Sequence, residues 1–465
     1  DMRILLVEKE HDIAMQTTSR NDGMVHPGID LIPGQIKRRY NMRGSRMYDQ
    51  VCAELDVPFL RSGQYVCFQG KVLAIAAFFG QLYYKLLGPR VQYLSKMEFF
   101  KREPNMSPAI NAVLFYPDAG VVSPYGLALA YAENAVDNGV QASFDTAVLD
   151  MTVEDGRITS IQTNRGTIYP KVIINAAGVF SEDIARMAQD RFFSIHPRKG
   201  TNTILDHKAS VRMRTIVSSY GTSDTKKRHT KGGGLVKTID RNTLVGPDAV
   251  ETYLKEDFST SAENIAFVFD KQRMTDPALH MRDAITYFSG IRAATYEEDF
   301  VIRKGKWTKN IVHAAGIQSP GITAAPAIAV DVAKMAAEVL SQTREAKSNP
   351  AFNPIHKSIV RANELSDTER DALIRENPDY GEIVCRCEQI SRGEVIDALH
   401  RSIPCDTLDG VRRRVRPSGG RCQGAFCGPL VLQIIAQECK ESLEQVGKSG
   451  PGGEVLFGSI KEVQA

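Results

Sequence analysis

Hydrophobic positions along the chain change their period several times, and each change marks an expected element. The chain opens on Arg3-Ile4-Leu5-Leu6-Val7-Glu8, a near-continuous apolar run closed by an acid. Such a run suits a parallel strand buried on both faces. From Tyr125 to Asn138 the period becomes helical, and Gly139 closes the helix. Ala142 to Val153, the turn Glu154-Asp155-Gly156-Arg157 and Ile158 to Thr163 predict a hairpin. A second turn at Asn164-Arg165-Gly166 leads into Lys171-Val172-Ile173-Ile174. That run ends in Asn175-Ala176-Ala177-Gly178, small residues that let a backbone approach a cofactor closely. Residues 195–290 alternate short β-like runs with turns and include Lys231-Gly232-Gly233-Gly234, a surface loop in which Lys231 could meet an anion. Ala325 to Leu340 carries an apolar stripe of Ile328, Val332, Met335, Ala336 and Leu340 and predicts a helix. Ser341 to Pro378 is polar and contains prolines, so it predicts a linker with one short helix near Asp367 to Glu376.

A chain of 465 residues is too long for one small core and predicts two or three domains. Its charge balance, 58 − 55 = +3, argues neither for nor against an anionic partner. No apolar leader precedes the first strand. The most apolar stretch, Val72 to Leu87, is interrupted by Gly80, Gln81 and Lys85 and falls short of the roughly 20 apolar residues of a spanning helix. A packed helix is expected there, with a membrane-touching helix as the alternative. The eight cysteines are closely paired in a chain that needs no staples, which points to metal in a reducing cytosol.

In dinucleotide-binding folds the second strand ends in an acid that hydrogen-bonds the adenosine ribose, and Glu8 suits that role. The Gly-rich turn expected about 20 residues earlier is not in the chain, and no other G-x-G-x-x-G follows a strand. Either the sequence begins inside a nucleotide-binding unit or the fold is a different one; the later motifs favour the first reading.

Thr17-Thr18-Ser19-Arg20-Asn21-Asp22-Gly23-Met24-Val25-His26-Pro27-Gly28 resembles the segment that passes the flavin in the D-amino-acid-oxidase-like superfamily. Within it, FAD-dependent glycerol-3-phosphate and L-2-hydroxyglutarate dehydrogenases have a similar small-polar run followed by Val-His and a glycine. The run into Asn175-Ala176-Ala177-Gly178 is similar to that superfamily's next contact with FAD. Phe288-Ser289-Gly290-Ile291-Arg292 and His313-Ala314-Ala315-Gly316-Ile317-Gln318-Ser319-Pro320-Gly321-Ile322-Thr323 complete the match over roughly residues 1–345. The resemblance implies an α/β and α+β fold. A Rossmann-like FAD-binding domain would be built from about 1–45, 118–195 and 285–345, and an antiparallel-sheet substrate domain from about 46–117 and 196–284. It also implies FAD contacts from Glu8, Thr17, Thr18, Ser19, Met24, Val25, Ala177, Gly178, Gly316, Gln318, Ser319, Gly321, Ile322 and Thr323. The physics agrees: free N–H groups where Gly316 to Thr323 enters a helix favour an electron-rich flavin edge. A simple strand–turn–helix connection is the plain alternative.

Chemistry would be hydride transfer from a substrate carbon to the flavin, with a base taking the hydroxyl proton. A base working near neutral pH is most naturally a histidine. His26 is the first candidate, and His313 is the second, with a hydrogen-bonded core residue as its alternative. The resemblance places a substrate-binding arginine at Arg292, which could clamp phosphate or carboxylate by paired hydrogen bonds. Its alternative is an ion pair with Glu297, Glu298 or Asp299. Two departures stand out: Pro27 replaces a small residue, and Arg198-Lys199-Gly200-Thr201-Asn202 lacks the acid and aromatic of the hydroxyglutarate group.

Cys385-Arg386-Cys387 is followed 35 positions later by Cys422 and then by Cys427. Structural zinc pairs are usually about two to four residues apart, so C-x-C is tight for zinc, while four thiolates suit a 2Fe–2S cluster. The run Arg421-Cys422-Gln423-Gly424-Ala425-Phe426-Cys427-Gly428-Pro429 resembles the bacterioferritin-associated-ferredoxin-like 2Fe–2S domain fused to such flavoproteins. That resemblance implies a small helical 2Fe–2S domain over 381–445, a linker over 346–380 and a tail over 446–465. Zinc and no metal remain the alternatives. Cys52, Cys67, Cys405 and Cys439 read as ordinary buried thiols. Arg412, Arg413, Arg414, Arg416 and Arg421 could offset the cluster's charge, dock an acidic acceptor or form a solvated face. No aromatics interleave with them, so nucleic acid is not an expected partner.

The expectation is a cytoplasmic enzyme, with peripheral association at the inner face of the cell membrane left open. It would oxidise sn-glycerol 3-phosphate to dihydroxyacetone phosphate. Electrons would pass through the 2Fe–2S cluster to a partner flavoprotein, a partner iron–sulfur protein or a quinone-linked acceptor. The alternatives are an L-2-hydroxyglutarate, other 2-hydroxy-acid or amine dehydrogenase of the same fold, and a non-catalytic electron-transfer subunit.

Overall fold

The structure is a computed structural model describing residues 2–29, 31–220, 233–342, 346–347 and 349–458. Lys231, Gly232 and the tail from 459 onward lie outside the described residues. The opening apolar run forms the strand Leu5–Val7, paired in parallel with Gln141–Ser143. A second parallel pair joins Ile173–Asn175 to Ile311–Ala315, with Val301–Lys304 antiparallel on its far side. These parallel strands carry the small residues and the acid predicted to meet a nucleotide.

The helix Gly321–Leu340 packs Ala324, Ala327, Ile328 and Val332 into a core with Tyr40, Phe300 and Val312. It crosses the helix Ile36–Glu54 so closely that a Cβ on Gly44 would lie 2.1 Å from the Thr323 carbonyl oxygen. The helix starts at Gly321, ahead of the expected Ala325, and runs through Pro326. Proline has no N–H for the carbonyl four residues back. That carbonyl, on Ile322, instead accepts from the Tyr48 hydroxyl.

Among the described residues, a nine-stranded sheet forms the second layer. Its spine is Ile195–Leu205 antiparallel to Ala284–Thr295, with Arg198 opposite Arg292 and Gly200 opposite Gly290. The sheet is antiparallel as expected apart from one step, where Ile216–Tyr220 runs parallel to Gln64–Gln69. One face is sealed by Tyr65, Phe99, Ile110, Val217, Leu235 and Phe269. The helix Lys71–Leu87 lies against the strands through Ala77, within a cluster of Val66, Val91, Leu114 and Tyr116. It is packed on one side only.

The expected hairpin is shorter than its apolar pattern. Gln141–Ser143 joins the parallel pair, the chain turns at Asp145 with φ of 49°, and Val148–Glu154 then pairs with Arg157–Thr163. The stretch expected to be a linker is bound to the molecule. The backbone N–H of His356 donates to Glu54 at 2.9 Å, and its buried ring bonds Leu55 and Glu133. The short helix Asp367–Glu376 forms as expected, started by a Ser366–Glu369 capping box. The C-terminal unit wraps the helices Arg392–Leu399, Leu408–Val415 and Gly428–Cys439 around Val384, Val395, Val411, Val431 and Ile435.

Candidate flavin and iron–sulfur sites

Three separate sequence segments meet where the flavin was expected. The short strand Met24–Val25 is buried, and it hands the chain to His26. The His26 N–H donates to the Thr323 hydroxyl at 2.9 Å, and that hydroxyl donates to the Met24 carbonyl at 3.4 Å. Thr323 therefore fastens the start of the long helix to this strand. Ser319 Oγ lies 3.4 Å from the His26 ring Nε2. Thr17 donates to the Ile291 carbonyl at 2.6 Å, and Asn21 ties Thr18 through its carbonyl at 2.6 Å. Gly290 passes so close that a Cβ there would meet the Arg20 carbonyl oxygen at 2.4 Å. Residues 17–28, 288–292 and 316–323 are thus one locality.

The donor set fits a dinucleotide. The first turn of the helix Gly321–Leu340 has no side-chain cap, leaving its N–H groups for an electron-rich partner. Gly178 has φ of +55° and open space where a Cβ would stand, so the backbone beside Ala177 can be approached closely. Glu8 follows the first strand, accepts from the Glu10 N–H at 2.9 Å, and burial pushes its carboxyl upward. Gln318 is committed elsewhere, donating to Glu298 at 2.7 Å. Ile322 packs inward beside Tyr48 and Val122. Gly316, at φ of +65°, packs against Thr295.

His313 lies away from this locality. Its ring is fully buried, with Nε2 2.8 Å from Asp190 and Nδ1 3.1 Å from the Asn175 amide nitrogen, and Phe192 and Phe193 pack edge-on against it. Burial lowers its basicity although Asp190 opposes this. Both ring nitrogens are engaged, so His313 is a core residue joining two parallel strands and has no access to a substrate.

Arg292 has the setting of an anion clamp. Nη2 donates to the Asp248 carbonyl at 3.0 Å, while buried Nη1 has no hydrogen-bond partner among the described residues. Burial lowers its pKa, opposed by Asp22 and Asp248. Two of the three acids proposed as ion-pair partners are occupied elsewhere, and the third, Glu297, is exposed at the surface. Glu298 meets Arg198 at 2.6 Å, and Asp299 accepts the N–H groups of Ile36 and Lys37 at 2.8 and 2.7 Å, capping their helix. The guanidinium lies over Gly200, whose missing side chain leaves its space: a Cβ there would be 2.4 Å from Nη2. Sequence reasoning passed over Gly200 and Asp248; the only signal was the unusual Arg198–Asn202 run.

In the C-terminal unit the four motif cysteines come together. Cys387 and Cys422 sulfurs are 3.5 Å apart, and Cys385 is hydrogen-bonded with Cys427. Burial pushes Cys385 up to about 12, opposed by backbone N–H groups of Glu388 and Ser418. Desolvation raises the Cys422 thiol, but the Phe426 N–H, the Cys387 thiol and the N–H groups of Gly424 and Ala425 together bring it below the usual value. Backbone donors aimed at sulfur favour the thiolate form and temper the negative charge of a cluster held by four of them. Cys52 and Cys405 are buried and pushed up to about 12, and Cys67 is buried and higher still, consistent with packing roles. Cys439 is half-buried.

The arginine group does not form a free basic face. Arg414 bonds Asp12, Arg416 reaches Asp240 at 2.8 Å, Arg421 meets Asp206 at 2.9 Å and Arg412 pairs with Asp409. Three of these tie the C-terminal unit to the rest of the chain.

Comparison with known proteins agrees with this geometry. Residues 1–335 match the FAD dependent oxidoreductase family (DAO), and residues 383–437 match the BFD-like [2Fe-2S] binding domain. Glycerol 3-phosphate dehydrogenase of Caloramator mitchellensis is 34% identical over 100% of this chain and 95% of its own length. Glycerol 3-phosphate oxidase of Mycoplasma pneumoniae is 27% identical over 72% of this chain and 88% of its own. The structure of L-alpha-glycerophosphate oxidase from Mycoplasma pneumoniae with FAD bound superposes with a TM-score of 0.69 at 25% identity, covering 77% of this chain and 92% of that one. The chain belongs to the FAD dependent oxidoreductase family and is an FAD-dependent dehydrogenase carrying a C-terminal 2Fe–2S domain.

Proposed function

We propose that the protein oxidises sn-glycerol 3-phosphate to dihydroxyacetone phosphate and delivers the electrons through its 2Fe–2S domain to a partner protein or quinone-linked acceptor. The observation that carries the substrate reading is Arg292, a desolvated cation with one buried nitrogen left unpaired beside the flavin segments. A substrate phosphate would take that nitrogen and share the guanidinium with the Asp248 carbonyl. The names of the relatives support phosphate over carboxylate.

When bound, FAD would supply the acceptor for the hydride leaving the alcohol carbon, and the cluster would supply one-electron transfer. The hydroxyl loses its proton to His26, which Thr323 and Ser319 hold in place. Carbon and oxygen together lose two electrons and two protons, leaving the ketone. Cys385, Cys387, Cys422 and Cys427 would hold the cluster, and the backbone donors at Cys385 and Cys422 would offset its negative charge.

The location proposed is the cytoplasm, with the partner as the exit for electrons. Anaerobic addition of sn-glycerol 3-phosphate to flavin-loaded protein should bleach the flavin rapidly, while L-2-hydroxyglutarate and amino acids should not. Bleaching by a hydroxy acid or amine alone would overturn the substrate, and no bleaching would favour a non-catalytic electron-transfer role. His26→Gln should keep the flavin and slow its reduction about 10²-fold or more.

A further inference from the structure

The helix Lys71–Leu87 is apolar on both sides, and only one side is covered. Ala77 is its buried residue, yet Val72, Phe79, Leu82 and Leu86 are 76%, 63%, 57% and 86% exposed. Ile75, Phe78 and Tyr83 are exposed beside them. At 3.6 residues per turn these positions recur on the face turned away from the sheet. A helix apolar all round is normally enclosed, and a continuous exposed patch of this kind marks an interaction surface. The packed helix expected from the sequence is therefore only half realised.

Charge decides what covers the outer face. From Val57 to Met97 the chain contains no Asp or Glu, while Arg61, Lys71, Lys85, Arg90 and Lys96 fall in the same stretch. Lys71 and Lys85 are exposed near the two ends of the apolar face. In a two-fold dimer of this face Lys71 and Lys85 would meet their own copies, with no carboxylate on the helix to answer them. Anionic headgroups answer such a rim directly, and the tyrosine at position 83 suits the boundary between acyl chains and water. At the C-terminal end of the helix, beside Gly88, a cleft of about 310 Å³ is lined by Arg46, Arg61 and Arg90. Asp118 also lines it and accepts from Arg90 Nε at 2.8 Å, Asp49 holds Arg61 at 2.6 Å, and Arg46 is the exposed cation at the rim. Among the described residues no helix is long and apolar enough to cross a membrane, so the helix would lie in the interface.

We propose that the helix Lys71–Leu87 seats the protein on an anionic lipid surface, its outer apolar face entering the acyl boundary while Lys71, Lys85 and the Arg46 cleft face the headgroups. The reading deepens the cellular location proposed above and is independent of the substrate.

Flotation of the full-length flavoprotein with phosphatidylcholine vesicles, with and without phosphatidylglycerol, tests it. Binding should require phosphatidylglycerol and weaken with salt. Phe79→Gln, Leu82→Gln and Leu86→Gln combined alter only exposed positions and should abolish binding with flavin content unchanged. Lys71→Glu with Lys85→Glu should lower partitioning about thirtyfold or more. No binding to phosphatidylglycerol vesicles, or equal binding by the triple variant, overturns the proposal. So does a dimer in sedimentation that the triple variant turns into a monomer, since the cover is then a second copy. Flavin bleaching in vesicle-free solution reports separately on the substrate.

Discussion

Arg414 grips Asp12 with both terminal nitrogens, Nη1 donating to Oδ2 at 2.8 Å and Nη2 to Oδ1 at 2.9 Å. The Tyr125 hydroxyl adds a third bond to the same carboxylate at 3.0 Å. Asp12 lies between Glu8 and Thr17 in the flavin-binding part, and Arg414 stands on the helix that precedes Cys422. This buried fork therefore fixes the iron–sulfur unit against the flavin domain. Both side chains are nearly inaccessible, at 0% and 5% exposure, so neither charge has water to fall back on.

Removing one partner strands the other. Arg414→Ala or Asp12→Ala should cost about 3–5 kcal/mol, because each leaves an uncompensated buried charge. Arg414→Lys should fall between, since an ammonium cannot reproduce the fork. Thermal melts followed by flavin release check this; an unchanged Tm in Arg414→Ala would mean that the clamp is dispensable.

The same interface has two pH limits. The Arg414 guanidinium outweighs burial and holds Asp12 below the usual carboxylate range. Its contribution is present above the unfolded value of about 3.9 and is lost as pH falls through the lower folded value. His11 bridges Asp145 at 3.0 Å and Asp406 at 2.8 Å; burial opposes its charge, but the two carboxylates raise its pKa overall. That contribution is complete below about 6.5 and fades as pH rises through the raised value. Tm against pH should thus fall at both ends. Asp12→Asn should flatten the acid limb, and His11→Gln should flatten the limb above neutrality.

Cys387→Ser should abolish the cluster absorbance while keeping the flavin band, because Cys387 faces Cys422 at 3.5 Å within the thiol group. Cys405→Ser should keep both bands, since that thiol donates to the Ala398 carbonyl inside the helical core. Visible spectra of the two purified variants separate ligand from filler. Loss of the cluster in Cys405→Ser would reassign the ligand set.

What the sequence disclosed and what it hid follow from the range of the interactions. The strand Leu5–Val7, the helix from Pro124 to Asp137 and the capped helix after Ser366 are written in local periods and caps, so they could be read directly. The pairing of Arg414 with Asp12 spans the chain, and no local pattern marks it. The arginine group therefore read as a basic face, although it is mostly a set of internal ion pairs. His313 illustrates a second limit. A histidine at a strand end is ambiguous until Asp190 and Asn175 are seen to hold both of its nitrogens. The start at Gly321 was hidden because Pro326 breaks the local helical rule, and Tyr48, far away in sequence, repairs it.

Gly200 gives the sharpest test of the substrate clamp. It faces Gly290 on the neighbouring strand, and the Arg292 guanidinium occupies the volume its side chain would fill. An alanine Cβ would stand 2.4 Å from Nη2, too close for both to remain, and the flexible arginine would yield before the strand. Gly200→Ala should therefore keep the fold and flavin content but misplace the clamp, costing about a hundredfold in kcat/KM, mostly through KM. Gly290→Ala provides the contrast. Its Cβ would meet the Arg20 backbone carbonyl at 2.4 Å, which cannot swing aside, so the segment expected to pass the flavin must itself shift and flavin should be lost. If Gly200→Ala loses flavin as Gly290→Ala does, the glycine serves packing. If it raises KM with flavin intact, the space above Gly200 belongs to the arginine that holds the substrate anion.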